Sequence, residues 1–286
     1  MFAAKSVVSV MFLLAATFIA LFVMFQVLGE RAVLTAIPSI VITASVVSGV
    51  SFITKGSAAY LLMVCGIPFG LLFSNIYLIH MLATMNDPEK IPATYGAALT
   101  VALIGGISSA FGYLTRDSKK KFIYNPISTI SATVASLLFL AMTVALLSFI
   151  GASLRYFFGN ELALLMAMGM IFAGVGVAIK KGTALTAIAP SVTVCIAIIG
   201  GAIAAVSWIV VSMTESIIPA VKVLAMGLST MALGLILYCL SIIWSMSRDG
   251  FEEAEFTSKN WHLVEVFTFV VFLALGPPTL LEMFSN

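Results

Sequence analysis

Nine stretches of this sequence run for roughly 20 residues or more with almost no Asp, Glu, Lys or Arg, and that pattern decides most of what the chain can fold into. They cover residues 6–28, 32–54, 57–82, 93–115, 126–154, 161–179, 184–212, 219–246 and 261–283. Each is long enough, as a helix, to cross about 30 Å of hydrocarbon. A backbone inside a bilayer must satisfy its own N–H and C=O groups, which leaves helices or closed barrels. Barrel strands alternate apolar and polar residues, and these runs do not. The expected fold is therefore all-α: a polytopic transmembrane bundle of about nine helices.

Composition agrees. Charged residues make up 9% of the chain and the mean hydropathy is +1.17, whereas a soluble domain needs about 25% charged residues to cover its surface. The polar connections are short, the longest being Met85–Pro92, Thr115–Asn125 and Ser247–Asn260. None could fold alone, so residues 1–286 read as a single membrane domain. The first apolar run is full length and lacks a small-residue cleavage site, as expected of a retained membrane helix. Cys65, Cys195 and Cys239 lie in separate apolar runs without metal-ligand or CxxC spacing, and read as small packing residues.

The basic residues set the expected orientation. With nine crossings, the side holding the N-terminus carries Lys5, Lys55, Arg116, Lys119, Lys120, Lys121, Lys180, Lys181, Arg248 and Lys259. Only Arg31, Lys90, Arg155 and Lys222 fall on the other side. The richer side faces the cytoplasm, which puts the N-terminus inside and the C-terminus outside. Without a crossing at 126–154 the bias largely disappears, so the fifth segment is expected to span.

Two parts of the chain resemble each other. RAVLTAIPSIVITASVVSGVSFI (Arg31–Ile53) and GTALTAIAPSVTVCIAIIGGAIAAVSWI (Gly182–Ile209) share LTAI, a Pro-Ser pair, and the interval from Pro38 to Gly49 and from Pro190 to Gly201. Downstream, GLLFSNIYLIHMLATMND (Gly70–Asp87) parallels GLILYCLSIIWSMSRD (Gly234–Asp249). Two readings stand side by side: a repeat of residues 1–115 and 161–286 joined by helix 126–154, or the shared composition of membrane helices. In the first, the single joining helix makes the copies antiparallel, the arrangement of inverted-repeat transporters.

Residues Gly66–Leu114, GIPFGLLFSNIYLIHMLATMNDPEKIPATYGAALTVALIGGISSAFGYL, resemble the MotA/TolQ/ExbB family of ion-conducting stator and energy-transducing subunits. Pro68, Asp87, Pro88, Ala98, Gly106 and Ala110 carry the likeness: a helix with a Pro-x-Phe-Gly-like start, an Asn/Asp-Asp-Pro turn, then a second helix rich in small residues. Val8–Ile53 looks like that family's first two helices, and Met168–Ser191 looks like them again. The family's large cytoplasmic insertion has no counterpart, since only Lys55–Ser57 stands in its place. The resemblance implies an ion-conducting membrane subunit working with other subunits.

Ionisable and amide groups inside membrane helices are costly and often functional. The candidate ion path is His80 with Asn75 in the third segment, Pro68 in the same segment, and Glu265 in the ninth. His80 reads either as a proton-relay residue, since imidazole titrates near neutral pH, or as an interfacial histidine bonded to a loop. Glu265, beside Trp261 and His262, reads either as a proton-carrying carboxylate or as an interfacial acid near a helix start. Pro38, Pro68 and Pro190 could free carbonyls for a cation, or shape packing; Pro38 and Pro190 could equally occupy first helical turns, where a missing N–H costs nothing. Gly105, Gly106 and Gly112, Gly169 and Gly176, and Gly200 and Gly201 form small-residue faces for close helix packing, within the chain or between subunits. Ser128, Thr129, Ser131, Thr133 and Ser136 line a polar path or bond back to their own helix.

No nucleophile–base set, phosphate loop or zinc motif is present in the sequence. The chain reads as a non-enzymatic subunit without a cofactor that conducts or couples a proton or sodium ion. The alternatives are a secondary transporter and a structural inner-membrane subunit of a secretion or conjugation apparatus. Expected partners are the lipid bilayer and other membrane subunits, including copies of itself, with no nucleic acid. The expected site is the bacterial inner membrane.

Overall fold

The computed structural model describes residues 29–54, 58–83, 91–115, 128–152, 161–213 and 217–245, with isolated residues between 11 and 26. Seven long helices occupy them: α1 (Glu30–Thr54), α2 (Ala58–Ala83), α3 (Ile91–Thr115), α4 (Thr129–Ile150), α5 (Glu161–Lys181), α6 (Leu185–Met213) and α7 (Ile217–Ser245). All seven are long and apolar enough to cross a membrane, and no strand occurs among the described residues. They coincide with the second to eighth apolar segments. The segments at 6–28 (isolated positions apart) and 261–283 lie outside the described residues.

Local chemistry fixes the helix ends that matter. Ser128 caps α4, its hydroxyl accepting from the Ser131 N–H at 3.2 Å. Gly151, at φ 77°, closes α4 by turning left-handed, and the Ala152 N–H reaches back to the Leu147 carbonyl at 2.9 Å. These two residues make α4 shorter than the apolar run 126–154. Gly182, at φ 62°, ends α5 in the same way, with Thr183 N–H on the Ala178 carbonyl at 3.1 Å, so α6 turns straight back along α5.

Two helix pairs are packed backbone to backbone. In the α2–α3 pair, a Cβ added to Gly105 would stand 2.6 Å from the Gly70 Cα, and one added to Gly66 would stand 2.8 Å from the Ser109 N. In the α6–α7 pair, Gly200 lies against Met231, Gly227 against Ala204, and Gly234 against Ala197. These are the two most extensive helix contacts, as expected where small residues let backbones approach. Helix α2 is the centre of the bundle: 89% of its membrane window is buried, against 22% for α5. Phe139 of α4 stacks on Phe69 of α2 at 5.5 Å. The core draws on every helix except α5, whose Leu162, Leu165 and Phe172 are exposed.

Contact order along the helices gives their sense. On α2, Asn75 meets Leu228 of α7, and Cys65 shares a cavity wall with Cys239 of α7. Numbers fall along α2 as they rise along α7, so the two helices are antiparallel. The same reasoning makes α2 antiparallel to α1 and α3, and α6 antiparallel to α7. If each helix reverses on the one before it, the five reversals from α2 to α7 leave the two antiparallel, as found. The fifth apolar segment forms α4, which is long and apolar enough to cross.

Candidate functional site

Pro38, Pro68 and Pro190 all stand inside their helices. First-turn positions for Pro38 and Pro190, one of the two expectations, do not hold. An internal proline removes one helical hydrogen bond and pushes the turn before it open. In a membrane such a turn is tolerated when neighbouring side chains bond the backbone it exposes. The turns before Pro38 and Pro68 each receive a hydroxyl from another helix, whereas the hydroxyl beside Pro190 belongs to α6 itself. The Tyr77 hydroxyl of α2 donates to the Thr35 carbonyl, in the turn before Pro38, at 2.5 Å. The Ser109 hydroxyl of α3 donates to the Met63 carbonyl, in the turn before Pro68, also at 2.5 Å. On α6, Thr193 Oγ1 bonds the Ala189 and Pro190 carbonyls and lies 3.4 Å from the Ser241 hydroxyl of α7.

The first and third of these turns lie in the two stretches of sequence that resemble each other. With Gly70 set against Gly234, as in the sequence likeness, Tyr77 falls opposite Ser241. Each hydroxyl comes from the helix that follows its proline helix. The two pairs differ in closeness, because α1 stands off α2 while α6 lies tight on α7.

Most other buried hydroxyls satisfy themselves. Thr100 donates to Gly96 O, Ser136 to Ala132 O, Thr143 to Phe139 O and Thr230 to Met226 O, all within their own helices. In the hydroxyl-rich start of α4, Ser128 is a cap and Thr133 bonds Thr129 O, so those side chains belong to the helix itself.

Asn75 differs from these hydroxyls. It is 1% exposed, and its Nδ2 donates to the Leu228 carbonyl at 2.8 Å. Its Oδ1 is buried and has no hydrogen-bond partner among the described residues. A buried acceptor without a partner is uncommon in folded proteins, and strain, a functional role or a bound water or ion can each account for one. Pro68 is buried on the same helix, and His80 is half-buried near its end. These residues follow one another along α2 without forming one line: Asn75 is turned to α7, Tyr77 to α1. Glu265 lies outside the described residues.

The glycines divide cleanly. Gly105 and Gly200 are in backbone contact, whereas a Cβ at Gly106, Gly169 or Gly176 would meet nothing within 4 Å. Gly112 and Gly201 are buried. The feature that sequence reasoning missed is a pairing. Cys65 and Cys239 are both free and buried and line one cavity between α1, α2 and α7, with Val46, Val50, Phe69 and Ile243. Nothing in their spacing signals it. Comparison with family models, with curated proteins and with solved structures finds no match to this chain.

Proposed function

We propose that this chain is a non-enzymatic integral membrane subunit that conducts or couples a proton or sodium ion within a larger complex. The observation that carries this reading is Asn75: an amide buried in the most enclosed helix, bonded across to α7, with its carbonyl oxygen unpartnered among the described residues. An open acceptor deep in an apolar span is costly unless it serves a polar guest. His80 would pass protons at the end of the same helix. The resemblance to the MotA/TolQ/ExbB family points the same way, and the stretch that carries it, Gly66–Leu114, forms the close-packed α2–α3 pair. In this reading the chain makes nine crossings in a bacterial inner membrane, N-terminus in the cytoplasm and C-terminus outside.

The test is flux through purified protein in vesicles carrying a pH or sodium gradient, with any partner subunits that co-purify. His80→Ala and Asn75→Leu are expected to abolish gradient-dependent flux while insertion into the membrane persists. Full flux in both variants would end the reading.

A second reading, an inverted-repeat secondary transporter, is favoured by a separate observation. Tyr77 and Ser241, aligned in the sequence likeness, each face the preceding proline-bearing helix, Tyr77 by a bond to the Thr35 carbonyl and Ser241 by a 3.4 Å contact with Thr193, and their own helices α2 and α7 cross antiparallel at the bundle centre. Substrate sites in such proteins lie at the repeat interface, which here is the α2–α7 seam. A structural subunit of a secretion or conjugation apparatus is favoured by the exposed small residues Gly169, Ala173 and Gly176 on α5.

A further inference from the structure

The buried thiols have no part in the reading above. Cys65 and Cys239, from helices α2 and α7, are 3% and 1% exposed, and both line a cavity of about 10 Å³. Its other wall side chains are aliphatic or aromatic, Val46, Val50, Phe69 and Ile243 among them. That volume is at the lower limit for one water molecule, and a water there would lack the two to four polar partners it needs. The cavity is therefore a dry space about one atom wide, and among the described residues that line it only the two cysteines carry a side-chain heteroatom.

Thiolate sulfur is a soft ligand and selects soft metal ions. Zinc would need four ligands, and no group of three or more His, Cys, Asp or Glu stands together among the described residues. The geometry points to a two-coordinate site for a soft, thiophilic metal ion, held between the Cys65 and Cys239 sulfurs and bridging α2 to α7. Charge decides which ion suits it. A net charge left in this apolar interior would be expensive, so the ion must be balanced by the two thiolates alone. A divalent ion that accepts two sulfur ligands, mercury(II), meets that condition. It would arrive as its uncharged dichloride, which can enter a bilayer. Two S–H and two metal–chloride bonds break, two metal–sulfur bonds form, and two protons leave with two chlorides. Nothing is oxidised or reduced.

The experiment uses the full chain in detergent with the half-buried third thiol removed (Cys195→Ser), titrated with mercuric chloride. One tightly held mercury per chain is expected, with X-ray absorption showing two sulfur neighbours and no chloride. Cys65→Ser and Cys239→Ser should each weaken binding by more than about 100-fold, beyond what outer-shell changes cost a metal site. Two mercury ions per chain, or one sulfur and one chloride at each ion, would overturn the assignment. The X-ray absorption result on the parent protein decides the matter even if a serine variant does not fold.

Discussion

Asn75 of α2 donates its side-chain N–H to the Leu228 carbonyl of α7 at 2.8 Å, joining residues 153 positions apart across the centre of the bundle. It is a one-sided bond, because the carbonyl oxygen of the same amide has no hydrogen-bond partner among the described residues. The two ends of this side chain therefore make different predictions.

The bonded end predicts little for stability. Hydrogen bonds between membrane helices contribute on average about 0.6 kcal/mol, because the alternative state also finds partners. Replacing Asn75 by Leu removes that bond but also removes a buried, unsatisfied oxygen. The expected net change in unfolding free energy is under about 1 kcal/mol, measured by steric trapping or by thermal unfolding in detergent. Loss of flux with stability retained would assign the residue to function. A loss of several kcal/mol would make it a structural tie.

The glycines separate into two classes that stability measurements should reproduce. Gly105→Ala places a methyl 2.6 Å from the Gly70 Cα, and backbone cannot yield as a side chain can. The α2–α3 pair must part, at a cost of about 1–3 kcal/mol, typical of overpacking. Gly234→Ala, with its Cβ 2.4 Å from the Ala197 N, should behave alike. Gly106→Ala and Gly176→Ala meet nothing within 4 Å, and their melting temperatures should match the parent or exceed it slightly. Equal destabilisation of Gly105→Ala and Gly106→Ala would contradict the packing described.

That contrast shows where sequence reading reaches its limit. Gly105 and Gly106 are adjacent, and on a helix adjacent residues point about 100° apart, since 3.6 residues make a turn. Composition marks both as small; only the position of α2 distinguishes them. Helix existence and span were legible, because continuous apolar length is a local property: the run at 57–82 became Ala58–Ala83, and 161–179 became Glu161–Lys181. Partner choice was not. Nothing near Asn75 names Leu228, and nothing near Cys65 names Cys239, because both pairings depend on how α7 returns to α2. The prolines were legible as helix interruptions, but the Tyr77 and Ser109 hydroxyls near Pro38 and Pro68 come from other helices.

Those hydroxyls give a coupling prediction. Tyr77→Phe should cost about 0.6–1.7 kcal/mol, the range for interhelical hydrogen bonds in membranes. Pro38→Ala restores the missing N–H and closes the turn, so the Thr35 carbonyl is no longer presented to Tyr77. In that background Tyr77→Phe should cost markedly less, a coupling of at least about 0.5 kcal/mol in a double-mutant cycle. Ser241→Ala with Pro190→Ala should couple more weakly, because Ser241 approaches the turn through Thr193 at 3.4 Å rather than directly. Strict additivity for Tyr77 and Pro38 would mean that the hydroxyl and the proline turn are unrelated.

The last prediction concerns α4, on which every orientation depends. Helices α2 and α7 are antiparallel, as Asn75 with Leu228 and Cys65 with Cys239 show. Between them the chain passes through α3, α4, α5 and α6. If α4 lay along the surface, one reversal would be lost and α7 would run parallel to α2. Its 22 residues are long and apolar enough to cross, Phe139 packs it on Phe69 of α2, and Gly151 ends it in a left-handed turn. Residue 118, before α4, and Thr183, between α5 and α6, must then lie on the same side of the membrane, with Gly151 on the other. Single cysteines at these three positions, in a chain lacking Cys65, Cys195 and Cys239, should be labelled by an impermeant maleimide accordingly. The positive-inside bias predicts that 118 and 183 react only when the cytoplasmic face is exposed. Labelling of 118 and 151 from one side would show that α4 does not cross, and the antiparallel seam between α2 and α7 would fall with it.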